Sequence, residues 1–321
     1  MLTDMVVFNK FVIQATIETV AQEIEKFNGA SNGAIVLSSE GFEGDFMQKS
    51  MFASLHSTQR RVDRYAANGA QAATALSQIE DNIVKVAGGF GPVIWEPSQL
   101  TWVQQNEALA IEAISKNLSE AILQDQLNTG IMAAVAAIEN VAALTADVSS
   151  TTGLSYSGLN TSHALFGDRS MSLIAQVMTG AAYHNLIGEN LNNANTLFSA
   201  ANVTVVNILN KAVIVTDAPG LYEAGAPNLS KVLSLVAGGI TISNAGDLVS
   251  NISTTNGNER IDTTFQADYT FGVGIKGFAW DTANGGKSPL DAELATGTNW
   301  DQYVTSVKDT AGVILVADAD Q

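Results

Sequence analysis

The 321-residue chain has no cysteine, three histidines, five prolines and 15 basic residues against 32 acidic ones. The missing thiols exclude a disulfide framework and a thiolate metal site. Packing or contacts between copies must then hold the fold, and a reducing cytoplasm suits such a chain. His56, His163 and His184 fall in three separate segments without an i, i+4 pair. They read as surface or internally satisfied side chains, and no metal site is expected. A formal charge of −17 argues against a surface that neutralises nucleic-acid phosphates or anionic lipid. No run approaches the roughly 18 apolar residues of a membrane span, and the opening M-L-T-D-M-V-V-F-N-K, with its early acid, is not an export signal. No G-x-S-x-G elbow occurs either, and no set of nucleophile, base and orienting group can be assembled. Neither a catalytic residue nor a cofactor is expected.

What is present is a foldable chain, 46% hydrophobic and 15% charged, long enough for one large or two ordinary units. Ile13, Ile17, Val20, Ile24 and Phe27 recur every three or four residues before Asn28-Gly29, which predicts an amphipathic helix over 3–27. Over 30–96 large apolar residues are too sparse for a separate core. This stretch predicts an extended arm or hairpin that must lie on something else. Pro97-Ser98 opens the clearest helix, with Ser98 as N-cap and Leu100, Val103, Ile111, Ile114, Leu118 and Ile122 on one face. Asn128-Thr129-Gly130 predicts a break before Ile131, Val135, Ile138, Val141 and Leu144 resume the pattern. A Ser/Thr/Gly-rich stretch, 149–162, predicts a loop leading to a second unit. There, 168–191 reads as a helix, 203–208 and 212–216 as strands, 217–220 as a turn and Asn256-Gly257 as a hairpin signal.

Two glycine-rich motifs mimic nucleotide sites. G-V-G-I-K-G (272–277) has dinucleotide-loop spacing, but F-A-W-D-T-A-N-G-G-K-S-P follows it, and two glycines and a proline exclude the helix that loop requires. Phe265, Ala267, Tyr269, Phe271, Val273 and Ile275 alternate with polar residues or glycine, which predicts a strand over 263–276 spanning roughly 46 Å. Gly272 and Gly274 fall on its polar face, where another backbone or a neighbouring subunit could approach closely. The bulky positions change parity after Gly277, which is therefore expected to be a strand bulge. G-G-K-S (285–288) has Asp281 where a phosphate loop needs glycine, and Ser288-Pro289-Leu290-Asp291 reads instead as a helix start capped by Ser288.

Arg60, Arg61 and Arg64 concentrate positive charge in a chain that has little of it. Two readings stand equal on the residues alone: a solvated run, or an ion-pair patch for acids on a neighbour, with Glu40, Glu43 and Asp45 as counterparts on the arm's opposite limb.

The order of these parts resembles the major capsid proteins of tailed bacteriophages. The resemblance is strongest in K-A-V-I-V-T-D-A-P (211–219) and in F-A-W-D-x-x-x-G-G-K-S-P-x-D-A-x-L-A-T-G-x-N-W-D (278–301). It covers essentially the whole chain and implies an α+β fold of the Hong Kong phage type, shared with the herpesvirus capsid floor. The implied parts are an N-terminal arm and helix (1–29), an extended loop with the start of a peripheral domain (30–96) and a peripheral spine helix (97–153). An axial domain (154–258) and a long strand with a C-terminal return to the peripheral domain (259–321) complete it.

The implied function is a structural one: pentamers and hexamers of this chain forming an icosahedral shell around double-stranded DNA, in the virion, after assembly in the host cytoplasm. The resemblance also places Arg60, Arg61 and Arg64 on the extended loop and favours inter-subunit pairing for them, with Lys49 in the same arm. Implied partners are further copies, a portal protein at one vertex and possible decoration proteins. About two dozen residues precede the arm, too few for a fused scaffold, so a separate scaffold protein is expected. The acidic balance fits a shell interior that does not adhere to DNA. An encapsulin-like compartment is the alternative within the fold; a flagellin-like or surface-layer protein lies outside it and lacks support, since no internal repeats occur.

Overall fold

The computed structural model describes residues 2–38, 46–52, 60–65, 67, 69–70, 73, 78–95, 105, 107–193, 211–256 and 262–321. Helix α1 (Leu2–Ala30) comes first and is buried along Val12, Thr16, Val20 and Ile24. That row keeps Val20 and Ile24 of the expected stripe but has Val12 and Thr16 in place of Ile13 and Ile17, and Ile17 is 44% exposed. The difference comes from a second helix. The buried Thr16 hydroxyl donates to the Val12 carbonyl, and its own carbonyl accepts from Ser119 Oγ at 3.3 Å. Small polar residues thus set the contact where size alone favoured isoleucine.

Strand β1 (Ile35–Ser38) follows a turn in which Asn32 and Gly33 have φ of 53° and 73°. Strands β2 (Phe46–Phe52) and β3 (Gln78–Trp95) pair antiparallel, while β1 pairs with a later strand (Ile240–Asn244) and 84–95 of β3 with another (Asp262–Ile275), so part of the stretch 30–96, expected as an arm lying on something else, is built into a sheet of its own chain. The spine helix α2 (Glu107–Glu139) runs unbroken through Asn128-Thr129-Gly130. A Cβ at Gly130 would fall 2.8 Å from Ile242 Cδ1 and 3.2 Å from Ile240 Cγ2. Glycine therefore seats the helix on a strand rather than breaking it, and packing overrides a propensity cost of about 1 kcal/mol. Ser98, Leu100 and Val103 lie outside the described residues.

The second half departs further from expectation. After β4 (Thr145–Asp147), the expected linker contains α3 (Tyr156–Ala164), with Ser155 as N-cap accepting from the Gly158 amide at 3.1 Å. The single helix expected over 168–191 is a 3-10 turn (Gly167–Ser172), strand β5 (Leu173–Met178) and helix α4 (Gly180–Asn193). Strand β5 is covered on both faces, so its apolar run has no period-2 signature and mimics a helix stripe. Strand β6 (Ala212–Val215) is as expected, and 203–208 lies outside the described residues. Strands β7 (Tyr222–Glu223), β8 (Leu229–Val236), β9 (Ile240–Asn244), β10 (Val249–Thr255), β11 (Asp262–Ile275) and β12 (Phe278–Trp280) follow. A one-turn helix α5 (Asp291–Leu294), β13 (Trp300–Gln302) and β14 (Gly312–Asp318) complete the chain. Leu290, not Ser288, precedes α5; its amide donates to the Glu293 carboxylate at 2.8 Å, while Ser288 takes φ of 49°.

Among the described residues these strands form two sheets. One runs β1-β9-β11-β12-β13, with β10 and β3 also on β11 and β2 on β3; the other runs β4-β14-β8-β5-β6, with β7 on β8. The second sheet takes β4 and β14 from outside 154–258, whereas β9 and β10 from inside that span belong to the first. The spine helix contributes Ile131, Ala133, Ala134 and Ile138 to the core shared with both sheets. Each large apolar side chain buried there contributes about 1.5–3 kcal/mol.

Strand β11 covers 14 residues, as the alternation predicts, and β10 pairs with it antiparallel from Thr255↔Asp262 to Val249↔Asp268. Burial alternates as far as Tyr269, but from Phe271 both faces are covered. Gly272 lies between Lys85 of β3 and Ser243 of β9, and a Cβ at Gly274 would meet Ile83 Cγ1 at 2.9 Å. These glycines are thus interior positions of close approach, not an open polar face. Gly277 is not a bulge. Ile275 pairs with Phe278, so Lys276-Gly277 is a two-residue hairpin turn, with Gly277 at φ +84° and its missing Cβ 2.9 Å from Thr310 Cα. Chain reversal, not an inserted residue, produces the parity change read from the sequence. The irregularity in β11 lies between Phe265 and Ala267, opposite Gly91 and Pro92 of β3.

Candidate functional site

In sequence, most of the residues singled out by charge lie on β2 or between β2 and β3. Arg60, Arg61 and Arg64 are all exposed, interleaved with Val62 at 63% and Tyr65 at 101% exposure. Asp63 shapes this segment by accepting the Tyr65 amide at 2.9 Å. Lys49 lies on β2 opposite Asp81. Glu40, Glu43 and Asp45 are outside the described residues, as is His56. The structure therefore brings three of the expected contact residues onto one exposed segment. Val62 and Tyr65, which charge reasoning passed over, are exposed on the same segment, an apolar and an aromatic residue in a run otherwise polar.

Strand β3 positions that segment. Its first part, 78–84, pairs with β2, and 84–95 pairs with β11. One continuous strand therefore carries the ribbon out from the main sheet. Gly88 is where it crosses Tyr269; a Cβ there would lie 2.6 Å from the tyrosine ring. The Tyr269 hydroxyl donates to Asp125 Oδ2 at 2.5 Å, tying β11 to the spine helix. Burial raises the Asp125 pKa against the lowering effect of this hydrogen bond, and burial and the carboxylate together push the phenol well above its usual range.

The nucleotide-like words prove to be packing devices. Trp280 and Trp300 meet edge to face at 4.9 Å, and their indole N–H groups donate to the carbonyls of Gly286 and Leu294. Gly285 lies flat against the Trp280 ring, where a Cβ would come within 2.2 Å. Asp281 accepts from the amides of Ala283 and Asn284, hydrogen bonds that hold its pKa below the usual carboxylate value. Gly297 lets the last loop approach the spine, with its absent Cβ 2.8 Å from the Ala136 carbonyl oxygen.

Among the described residues, the buried lysines belong to the second sheet. Lys231 on β8 reaches Glu139 at the end of the spine and Glu223 on β7, each at 2.8 Å. Burial disfavours its charge, but the hydrogen bonds to both carboxylates leave its pKa raised. Lys211 donates to the Ser170 and Leu173 carbonyls, and burial lowers its pKa. His163 contacts Ser234 Oγ at 3.2 Å and Gln176 Nε2 at 3.1 Å. Among the described residues no group of three or more His, Asp or Glu could hold a metal ion, and no helix is long and apolar enough to cross a membrane. One open apolar groove lies between α1 and the turn joining β9 to β10.

Two sheets about a long spine helix, with a hairpin held out on an 18-residue strand, form the fold of phage capsid subunits. The solved capsid of cyanophage Pam1 is similar at a TM-score of 0.53 and 10% identity, over 89% of this chain and 88% of that one. The acid-stable capsid of Helicobacter pylori bacteriophage KHP30 is similar at 0.50 and 11% identity, over 91% and 88%. The sequence model of the Gp13-like family, described as major capsid protein 13-like, matches residues 4–314, and the chain belongs to that family. No curated protein matches it. It is a structural protein of a phage capsid.

Proposed function

We propose that this protein forms pentamers and hexamers that close into the icosahedral shell around the packaged double-stranded DNA of a tailed phage, the ribbon arm of each copy engaging its neighbour. The observation that supports this reading is the family match over nearly the whole chain, joined to an arm whose exposed Arg-Arg-Val-Asp-Arg-Tyr segment has no packing of its own. In this reading 30–96 carries the extended loop, 97–153 the spine, 154–258 most of the axial region, and 259–321 the long strand and return. Assembly takes place in the host cytoplasm on a separate scaffold protein, with a portal at one vertex. The excess of 32 acidic over 15 basic residues keeps the inner face from binding the genome. Negative-stain images of protein assembled with its scaffold test the reading. Closed shells of phage size are expected, and small monodisperse oligomers under every assembly condition would overturn it.

A further inference from the structure

Five Asn-Gly pairs occur in the chain, at 28–29, 32–33, 68–69, 256–257 and 284–285. Each is open to the same chemistry, because a glycine leaves its own backbone nitrogen unhindered toward the preceding side chain. That nitrogen attacks the asparagine Cγ and closes a succinimide ring, while the side-chain nitrogen leaves as ammonia with the proton of the attacking N–H. Water then opens the ring at either carbonyl, giving aspartate or isoaspartate. No oxidant or enzyme is needed. The first step requires a side-chain amide free to turn and a glycine N–H released from its hydrogen bond.

The fold sorts the three pairs that lie wholly within the described residues. The Asn28 amide is clamped at both ends, accepting from the Leu37 amide at 2.9 Å and donating to the Leu37 carbonyl at 2.7 Å, and Gly29 lies inside α1. The Asn284 side chain donates to Asp281 Oδ2 at 2.5 Å, the Gly285 amide donates to the Asp281 carbonyl at 2.8 Å, and Gly285 is pressed flat on Trp280. Asn32 has no such restraint. It is exposed at φ 53° in the turn between α1 and β1, nothing among the described residues holds its side-chain amide, and a Cβ at Gly33 would meet nothing within 4 Å. The one brake is a bond of 3.2 Å from the Gly33 amide to the Asn28 carbonyl.

We infer that Asn32-Gly33 is a site of spontaneous covalent modification in the folded chain, and that the structure holds Asn28 and Asn284 inert. Its place gives the reaction a consequence. Isoaspartate adds a methylene to the main chain just ahead of Gly33 and Ala34, whose carbonyls accept from the Gly238 amide at 2.7 Å and the Ile240 amide at 3.3 Å. Conversion therefore loosens the joint at which α1 and β1 meet β9, and either product adds negative charge to a chain already at −17.

Peptide mapping by mass spectrometry tests this on the purified full-length chain, incubated at mildly alkaline pH in heavy-oxygen water. Conversion appears as a labelled oxygen in the new carboxylate, and the same chain unfolded in guanidinium supplies the intrinsic rate of each pair. Relative to that rate, Asn32 is expected to convert at least about ten-fold faster than Asn28 and Asn284, the ratio that a single intact hydrogen bond sustains. A smaller difference, or faster conversion at either of the other two, overturns the assignment. The converted form, separated by ion exchange, is expected to unfold at a lower temperature than fresh protein. An unchanged midpoint overturns the consequence drawn for the joint.

Discussion

At the level of single residues, His163 shows how one buried group sets a pH limit. The Gln176 amide nitrogen, which can only donate, lies 3.1 Å from its Nε2, an arrangement that requires the lone pair there and a neutral ring, with Ser234 Oγ at 3.2 Å beside it. Burial, aided by the nearby Lys211 charge, lowers its pKa from 6.5 to about 4. A base whose folded pKa is depressed gives full stability above its unfolded pKa and loses it as pH falls. The window here is therefore pH 6.5 down to 4, with a loss of about 3 kcal/mol at most. The thermal midpoint of dissociated subunits should fall across that window, and His163→Gln should flatten the fall; an unchanged slope would refute the assignment. The sequence already placed a satisfied histidine among its readings. It did not show which one, because Ser234 lies 71 positions away and only the sheet brings it to the ring.

At the level of elements, the spine helix packs against α1, α5 and strands of both sheets. Gly130→Val should destabilise the chain by about 1–3 kcal/mol, since the added atoms enter space held by Ile240 and Ile242. A chemical denaturation series would detect this, and a neutral result would mean that the helix can lift from β9 without cost. Lys231→Met should lower stability by about 1–2 kcal/mol, discounted for the exposure of its partners, and Glu223→Gln by less, because Glu223 is the more exposed of the two. Elements with a clean periodicity were legible in the sequence: α1 and β11 lie close to where helical spacing and alternation put them. Strand β5 was not, because cover on both faces erases the alternation that marks a strand. The break expected at Gly130 failed for a related reason: glycine reports on backbone freedom and on lack of space alike, and only a neighbouring strand decides between them. The same ambiguity concealed the hairpin at Gly277.

At the level of the whole molecule, the arm and the body have separable roles. Replacing 60–65 with a Gly-Ser segment of equal length should leave the subunit's unfolding midpoint within about 1 kcal/mol of wild type, since the described side chains there are exposed. The same change should abolish shell formation. Loss of folding in that variant, or intact shells from it, would each contradict this division. The candidate site was half legible: clustered arginines stand out in an acidic chain, whereas the groove is formed by residues from α1, the β9–β10 turn and β11, and no sequence window contains it.

Because β3 pairs with β11 over 84–95 and with β2 over 78–84, the ribbon leaves the sheet at Val84 and its direction follows the twist of that sheet. Over the six residues from Val84 to Gln78, about 20 Å, a change of about 10° in twist displaces the end of the ribbon by roughly 3.5 Å, most of the spacing between adjacent strands. Sheet twist and the position of the arm are therefore one mechanical variable.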